Sequence, residues 1–294
     1  MMLRPIRTFG LAARTDTHAV RLAMETLARE LTARGAEVRV EQRWAEAAPG
    51  AQAGDRDFLL SADAIISLGG DGTFLAVARQ AAERDTPVLG IDLGSFGFLA
   101  DEPLETVVQR VDELMAGNYA IEERMMLEAV VTASDGEQAR FLALNDVVVG
   151  RAPTSGIVRL RCEVDGSLLA VYPGDGVIFA TPTGSTAYSL SAGGPIVDPT
   201  LECFLVVAIC PHTLYSRPLV IDATRQVTVR REPQAGRSQD QHVSVIADGH
   251  DVAALSGAAC VTIQRAESRA RIIHLTPRTF FDRLREKLNW GAPR

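Results

Sequence analysis

The feature that most constrains this chain is a change of texture near Gly117-Asn118. Before it, short apolar runs alternate with amphipathic segments; after it, β-type runs follow one another without helical segments between them. The first pattern is that of parallel strands joined by crossover helices, and the second is that of a layered β domain. We therefore expect an α/β N-terminal domain with an open parallel sheet over residues 1–118 and an all-β layered sandwich over 119–270. A C-terminal segment, 271–294, is expected to return to the first domain. A length of 294 residues leaves room for two cores, since single cores stop growing at about 250–300 residues.

Ile6 to Ala12 reads as the first strand, and His18 to Arg34 as a helix with Ala19, Leu22, Ala23, Leu27 and Leu31 near helical spacing and Gly35 at its end. Val38–Val40, Asp63–Leu68 and Val88–Ile91 read as further strands, with Thr73–Arg84 as a helix. Pro103 to Met115 predicts a single helix with proline in its first turn. The β-rich part offers Leu127–Thr132, Phe141–Val149, Ile157–Val164, Leu168–Tyr172 and Val177–Thr181, then Leu205–Ile209, Val227–Arg231, Val243–Ala247 and Cys260–Gln264. Asp165-Gly166 between two of these runs is a hairpin signal. Phe280–Leu288 is helical again.

A formal net charge of −7 argues against a nucleic-acid partner, which needs a basic face to displace counterions. The first residues carry Arg4, Arg7 and Arg14 around a short apolar run, not the longer h-region of a signal peptide. No run approaches the roughly 18 apolar residues of a membrane span. A soluble, cytoplasmic protein with no membrane partner is expected. Cys162, Cys203, Cys210 and Cys260 form no CxxC pair, so they are read as buried apolar residues of a reducing compartment.

Gly69-Gly70-Asp71-Gly72-Thr73 follows an apolar strand and opens an amphipathic helix. Glycines there let the backbone approach a phosphate, and helix-start amides favour an anion. Asp71 is the odd member: a carboxylate repels phosphate, so it points to a hydroxyl to be deprotonated or a metal to be placed, or else it caps the helix. Asn145-Asp146 interrupts a β run, as a bulge, a strand end or a binding pair. Thr181 to Pro195 concentrates hydroxyls and glycines after a strand, a costly core but a serviceable polar binding loop.

The Gly-Gly-Asp-Gly turn resembles that of NAD kinases, diacylglycerol and sphingosine kinases and, in a close variant, phosphofructokinases. The Thr181–Pro195 stretch and the Asn145-Asp146 pair resemble the NAD kinase signature and select that family over the lipid kinases. Pro211-His212-Thr213-Leu214, Arg217-Pro218-Leu219 and Leu288-Asn289-Trp290-Gly291 look like further family blocks. The resemblance implies phosphorylation of the 2′-hydroxyl on the adenosine ribose of NAD to give NADP. It implies ATP as donor with Mg²⁺ or another divalent metal, inorganic polyphosphate being accepted by some members. It further implies Asp71 as general base, with Gly69, Gly70, Gly72 and Thr73 at the phosphate donor. Asp71, Gly72, Asn145, Asp146, Gly156, Asp175, Thr186, Ala187, Tyr188, Ser189, Leu190, Ser191 and His250 are then expected to contact NAD, in a homodimer or homotetramer.

Two departures stand out. The family often has a basic residue two positions before the acid of its Asp-Gly pair, where this chain has Pro173 before Asp175. Gly156 stands where many members carry a larger or basic side chain. A lone histidine such as His250 is also commonly a hydrogen-bonded structural residue. A lipid or sugar kinase and a non-catalytic dinucleotide binder are the competing readings; the second has less need of an acid at Asp71.

Overall fold

The computed structural model describes residues 3–94, 97–152, 156–213, 215–232 and 243–289. Leu214, Trp290 and Gly291, within two of the sequence blocks above, lie outside them. The chain divides into two compact units, Met1–Glu123 with Ser268–Arg294, and Arg124–Glu267.

The first unit alternates strands and helices: β1 (Thr8–Ala13), α1 (His18–Ala33), β2 (Glu37–Glu41), β3 (Gln52–Gly54), α2 (Arg56–Leu60), β4 (Ala64–Leu68), α3 (Asp71–Ala82) and β5 (Val88–Ile91). The strands lie in the order β3-β2-β1-β4-β5 and all pair in parallel. β1, β4 and β5 are apolar on both faces because helices cover both. Phe9, Leu11, Ile66 and Leu89 pack with Val20, Met24, Leu27 and Leu31 of α1, whose buried residues recur at helical spacing. On the opposite face Gly10 meets Leu59 of α2, and Gly90 meets Phe74 of α3.

The single helix expected over Pro103–Met115 is instead two, α4 (Leu104–Gln109) and α5 (Val111–Ala116), and Pro103 is the N-cap. The break falls at Arg110, whose backbone leaves the helical region (φ −108°, ψ 15°). Its guanidinium bonds the Leu275 carbonyl, 165 positions away, and Glu113. That distant partner is invisible to local periodicity.

The second unit is antiparallel β. The chain enters along β6 (Ala120–Thr132) and continues through β7 (Gln138–Ala143), β8 (Asp146–Arg151), β9 (Val158–Val164), β10 (Ser167–Gly174) and β11 (Gly176–Ala180). The short helix α6 (Tyr188–Ser191) precedes β12 (Cys203–Ile209), β13 (Leu219–Asp222), β14 (Val227–Arg231), β15 (Val243–Ala247) and β16 (His250–Leu255). β17 (Cys260–His274) leaves the unit and ends in the first, where Ile272 pairs with Val88 and α7 (Phe280–Leu288) follows.

One layer holds β10-β9-β14-β17 with β6 and β7, and the other β13-β12-β11-β8-β15-β16. Leu127, Leu160, Val229 and Ile263 of the first face Val147, Val149, Phe179 and Phe204 of the second in one core. Asp165 and Gly166 both take positive φ, 48° and 78°, at the β9–β10 hairpin.

Phe141–Val149 was expected as one strand, but β7 and β8 belong to different layers and Leu144-Asn145 is the crossing between them. Cys162 and Cys203 are buried, whereas Cys210 is exposed and Cys260 only partly buried, so the expectation of four buried thiols holds for half of them. Cys210 ends β12 in a left-handed conformation (φ 44°), where the chain turns to the surface. Among the described residues no helix is long and apolar enough to cross a membrane.

Gly90 leaves no room for a side chain: a Cβ there would stand 2.7 Å from Ala100 Cα and 2.8 Å from the Phe74 ring. Gly90→Ala is expected to lower stability by about 1–3 kcal/mol through overpacking, read as a lower urea midpoint at unchanged m-value.

Candidate active site

In the first unit the glycine turn stands at the carboxyl end of β4, beside that of β1. From β1 the chain runs outward to β2 and β3, whereas β4 leads to β5 on the other side. Such a reversal opens a crevice at the strand ends, where α/β sheets bind ligands. A cleft of about 560 Å³ lies here, lined by Arg14 and Thr15 after β1, Gly70 to Thr73 at the start of α3, and Gly97. Gly69 takes φ 140°, a conformation open to glycine, and Gly70 is the N-cap of α3.

Asp71 does not cap. It is the first residue of α3, and its carboxylate accepts hydrogen bonds from three consecutive amides, Phe98 (2.7 Å), Leu99 (3.0 Å) and Ala100 (3.1 Å). Gly97 permits this approach, since a Cβ there would overlap the carboxylate. A carboxylate has about four acceptor positions, so one remains for a hydroxyl. Arg14 donates to the Gly72 carbonyl at 3.2 Å and brings a guanidinium to the phosphate-type turn. Its place at the turn depends on β1 and β4 being neighbours, which no local sequence pattern shows.

In the second unit the crossing at Leu144-Asn145 is held by Asp248. Its carboxylate accepts from the amides of Leu144 (2.8 Å), Asn145 (2.8 Å) and Asp146 (3.2 Å). The Asn145 carbonyl accepts from Thr181 N at 2.8 Å, and the Thr181 hydroxyl donates to the Leu144 carbonyl at 2.6 Å. His250 Nδ1 lies 3.0 Å from the Asp248 carbonyl oxygen. Asn145, Asp146, Asp248, His250 and the start of the Thr181 segment therefore form one group. Asn145 Oδ1 is buried without a partner among the described residues.

Within the Thr181 segment the hydroxyls have different fates. Ser185 is fully buried, donates to the Pro182 carbonyl (2.6 Å) and accepts from Val197 N (3.0 Å). Thr183 accepts from the buried Arg124 at 3.1 Å. Thr186 donates to the Thr183 carbonyl at 3.2 Å. Ser189 is buried with no partner for Oγ among the described residues, Ala187 and Leu190 are half-buried, and Tyr188 and Ser191 are exposed, Tyr188 at 46%.

Asp175 is placed apart from this group. It lies at the Arg151 end of β8, whereas Asp146 begins that strand; five residue steps at about 3.4 Å separate the ends by roughly 17 Å. Asp175 pairs with Arg151 Nε at 2.6 Å. A cation is thus supplied from the neighbouring strand where Pro173 departs from the family pattern. Gly156 is exposed ahead of β9.

Residues 9–119 match the family described as the ATP-NAD kinase N-terminal domain, and residues 144–275 match the ATP-NAD kinase C-terminal domain. The chain belongs to the ATP-NAD kinase family. An NAD kinase of Syntrophotalea carbinolica is 41% identical over 263 residues, covering 89% of this chain and 90% of that protein. One from Moorella thermoacetica is 38% identical over 290 residues, covering 98% and 91%. A crystal structure of an Archaeoglobus fulgidus NAD kinase in complex with ATP superposes with a TM-score of 0.71 at 27% identity, covering 96% of this chain and 98% of that one. The fold is also that of a yeast NADH kinase crystallised with NADH, with a TM-score of 0.89 at 23% identity and coverage of 99% and 89%. As a member of this family the chain is an enzyme, an NAD kinase.

One cluster in the first unit has the composition of a metal site: ligand atoms of Asp101, Glu102 and His274 lie within 4.8 Å of one another. Other partners already occupy it. Arg283 pairs with Asp101 at 3.5 Å, and Glu102 accepts from the amides of Leu275 and Thr276. The positive charge there is a guanidinium.

Asp146 is buried beside Asp248, and burial first, then that neighbouring charge, pushes its carboxyl up to about 7. The unfolded chain releases this proton near pH 4, so from about pH 4 to 7 the folded state binds the extra proton. Stability from this group is present at low pH and falls as pH rises to about 7. Urea titrations are expected to show that Asp146→Asn flattens this part of the pH profile and stabilises the ligand-free protein most at pH 8.

Proposed function

We propose that the chain transfers the terminal phosphoryl group of ATP to the 2′-hydroxyl on the adenosine ribose of NAD, forming NADP in the cytoplasm. The observation that carries this reading is Asp71: a carboxylate in a phosphate-type turn at the sheet's switch point, fixed by three amides with one acceptor position left. ATP as donor is supported by the archaeal relative that holds it.

In this reading Gly69, Gly70, Gly72 and Thr73 receive the donor phosphates, and the Arg14 guanidinium faces their charge. The ribose hydroxyl donates its proton to Asp71 as the new O–P bond forms, and the bond to the leaving ADP breaks with its electron pair going to ADP. General-base help of this kind is worth roughly 100- to 10,000-fold, with alignment and charge neutralisation supplying the rest. Mg²⁺ would neutralise donor phosphate charge when bound. Because Asp71 has a single open position and Asp101 and Glu102 are engaged, the fit is to an ion carried mainly by the phosphates and water, as Mg²⁺ commonly is.

Asn145 and Asp146 are assigned to the dinucleotide, supported by the unpartnered Asn145 Oδ1 and by an Asp146 carboxyl that can keep its proton near neutrality and donate. His250 and Thr186 to Ser191 join them. The wide spacing of Asp175 from Asp146 along β8 supports a homodimer or homotetramer in which Asp175 and Gly156 serve the dinucleotide of a partner subunit.

A coupled assay with NAD, ATP and Mg²⁺ is expected to yield NADP, and replacing ATP with polyphosphate tests the alternative donor. Asp71→Asn is expected to keep NAD affinity by calorimetry and lose roughly 100- to 10,000-fold in kcat; near-native kcat would refute the base. Tyr188→Ala is expected to weaken NAD use by about 1–3 kcal/mol in kcat/KM if the ring stacks on the base. Tyr188→Phe then separates ring from hydroxyl, and native kcat/KM in both folded variants removes Tyr188 from the site.

A further inference from the structure

The loop that grips Asp71 is itself gripped from behind, by residues far along the chain. Phe98, Leu99 and Ala100 donate their amides to Asp71, and the next two residues, Asp101 and Glu102, turn to the C-terminal segment of the same unit. Glu102 is 3% exposed and accepts from Leu275 N (2.9 Å), Thr276 N (3.0 Å) and the Thr276 hydroxyl (3.0 Å), 173 and 174 positions away. Its own backbone is fastened to β5, its amide donating to the Gly90 carbonyl and its carbonyl accepting from Asp92 N.

Asp101 pairs with Arg283 at 3.5 Å, and a second Arg283 nitrogen lies 3.4 Å from Glu122, which His274 Nε2 also meets at 2.8 Å. Arg283 is 3% exposed. Its place is set by the first turn of α7, where Thr279 and Asp282 form a reciprocal capping box. Taking one partner from a buried, charge-paired group leaves the other uncompensated, so the loop cannot drift from this anchor cheaply. Because the gripping amides are consecutive with the anchored carboxylates, a shift of the anchor is a shift of the Asp71 carboxylate.

We propose that Glu102 and Arg283 are positioning residues for Asp71, fixing through the 97–102 loop the direction of the acceptor position that meets the ribose hydroxyl. The proposal rests on the reading of Asp71 as general base. A misplacement of about 1 Å can cost about 100-fold in rate, so the effect belongs to kcat and not to substrate affinity.

The test compares Glu102→Ala, Glu102→Gln, Arg283→Met, Asp101→Asn and Asp71→Asn in steady-state kinetics with NAD, ATP and Mg²⁺. Each variant is also followed by amide hydrogen exchange without ligand. Glu102→Ala and Arg283→Met are expected to lower kcat about 10- to 100-fold with both KM values within about twofold. Exchange should quicken at 98–100 while α1 and β1 keep native rates. Glu102→Gln, whose side-chain oxygen still accepts from the Leu275 and Thr276 amides, should restore kcat to within about threefold. If Glu102→Ala or Arg283→Met does not fold, Asp101→Asn, which weakens the same ion pair without a cavity, carries the comparison. Native kcat with native exchange at 98–100 would overturn the proposal, and so would faster exchange spread evenly over the unit or a loss that Glu102→Gln does not rescue. Near-native turnover in Asp71→Asn would remove the base reading alone, and the exchange arm would still decide whether the anchor holds the Asp71 loop.

Discussion

Both units depend on one device, a single aspartate that accepts hydrogen bonds from three consecutive backbone amides. Asp71 takes those of residues 98–100 and Asp248 those of 144–146. Three amides in a row cannot all enter a sheet ladder, where donors alternate direction, and unpaired they would be costly to bury. A carboxylate satisfies them together with charge-assisted bonds. In the second unit this lets the chain leave one layer after Ala143 and enter the other at Asp146 without orphaned donors. In the first unit the device is inverted in purpose: the backbone run orients the carboxylate, whose remaining acceptor position has a defined direction.

The parts of the fold that rest on local physics were legible in the sequence. The two-faced apolar runs of β4 and β5, the stripe of α1, the Asp165-Gly166 hairpin and the glycine turn before α3 each follow from residues a few positions apart. What escaped was set by distant partners. Arg110 breaks the Pro103–Met115 helix by reaching Leu275, and Asn145 marks a layer crossing because Asp248, 103 positions on, holds its amide. Arg14 gains meaning only when β1 and β4 are neighbours.

The hydroxyl-rich Thr181 segment shows why composition marks out a polar loop more readily than it assigns the loop's contacts. Thr181 and Ser185 look as available as any of its hydroxyls, yet they are spent on the backbone, Thr181 on Leu144 and Gly184, Ser185 on Pro182 and Val197. They hold the segment over the outer face of the second layer, where Val197 packs with Val148, Ile178 and Leu205. A serine on such a loop is read from sequence as a ligand contact or a structural bond with equal ease.

Among the described residues, the buried polar atoms without a partner divide this segment and the Asn145 crossing more sharply than exposure does. A buried acceptor without a partner costs about 1–3 kcal/mol, and a fold retains that cost where another gain offsets it. Among the described residues Asn145 Oδ1 and Ser189 Oγ are buried without a partner, while Thr181 and Ser185 between them in sequence are bonded. Asn145 sits on the backbone that Asp248 fixes most firmly, so its unpaired oxygen follows from a rigid setting and not from a loose loop. On the proposed reading, the dinucleotide meets a side chain whose backbone was fixed when the chain folded. Less freedom is then lost on binding, which is how pre-organisation raises affinity.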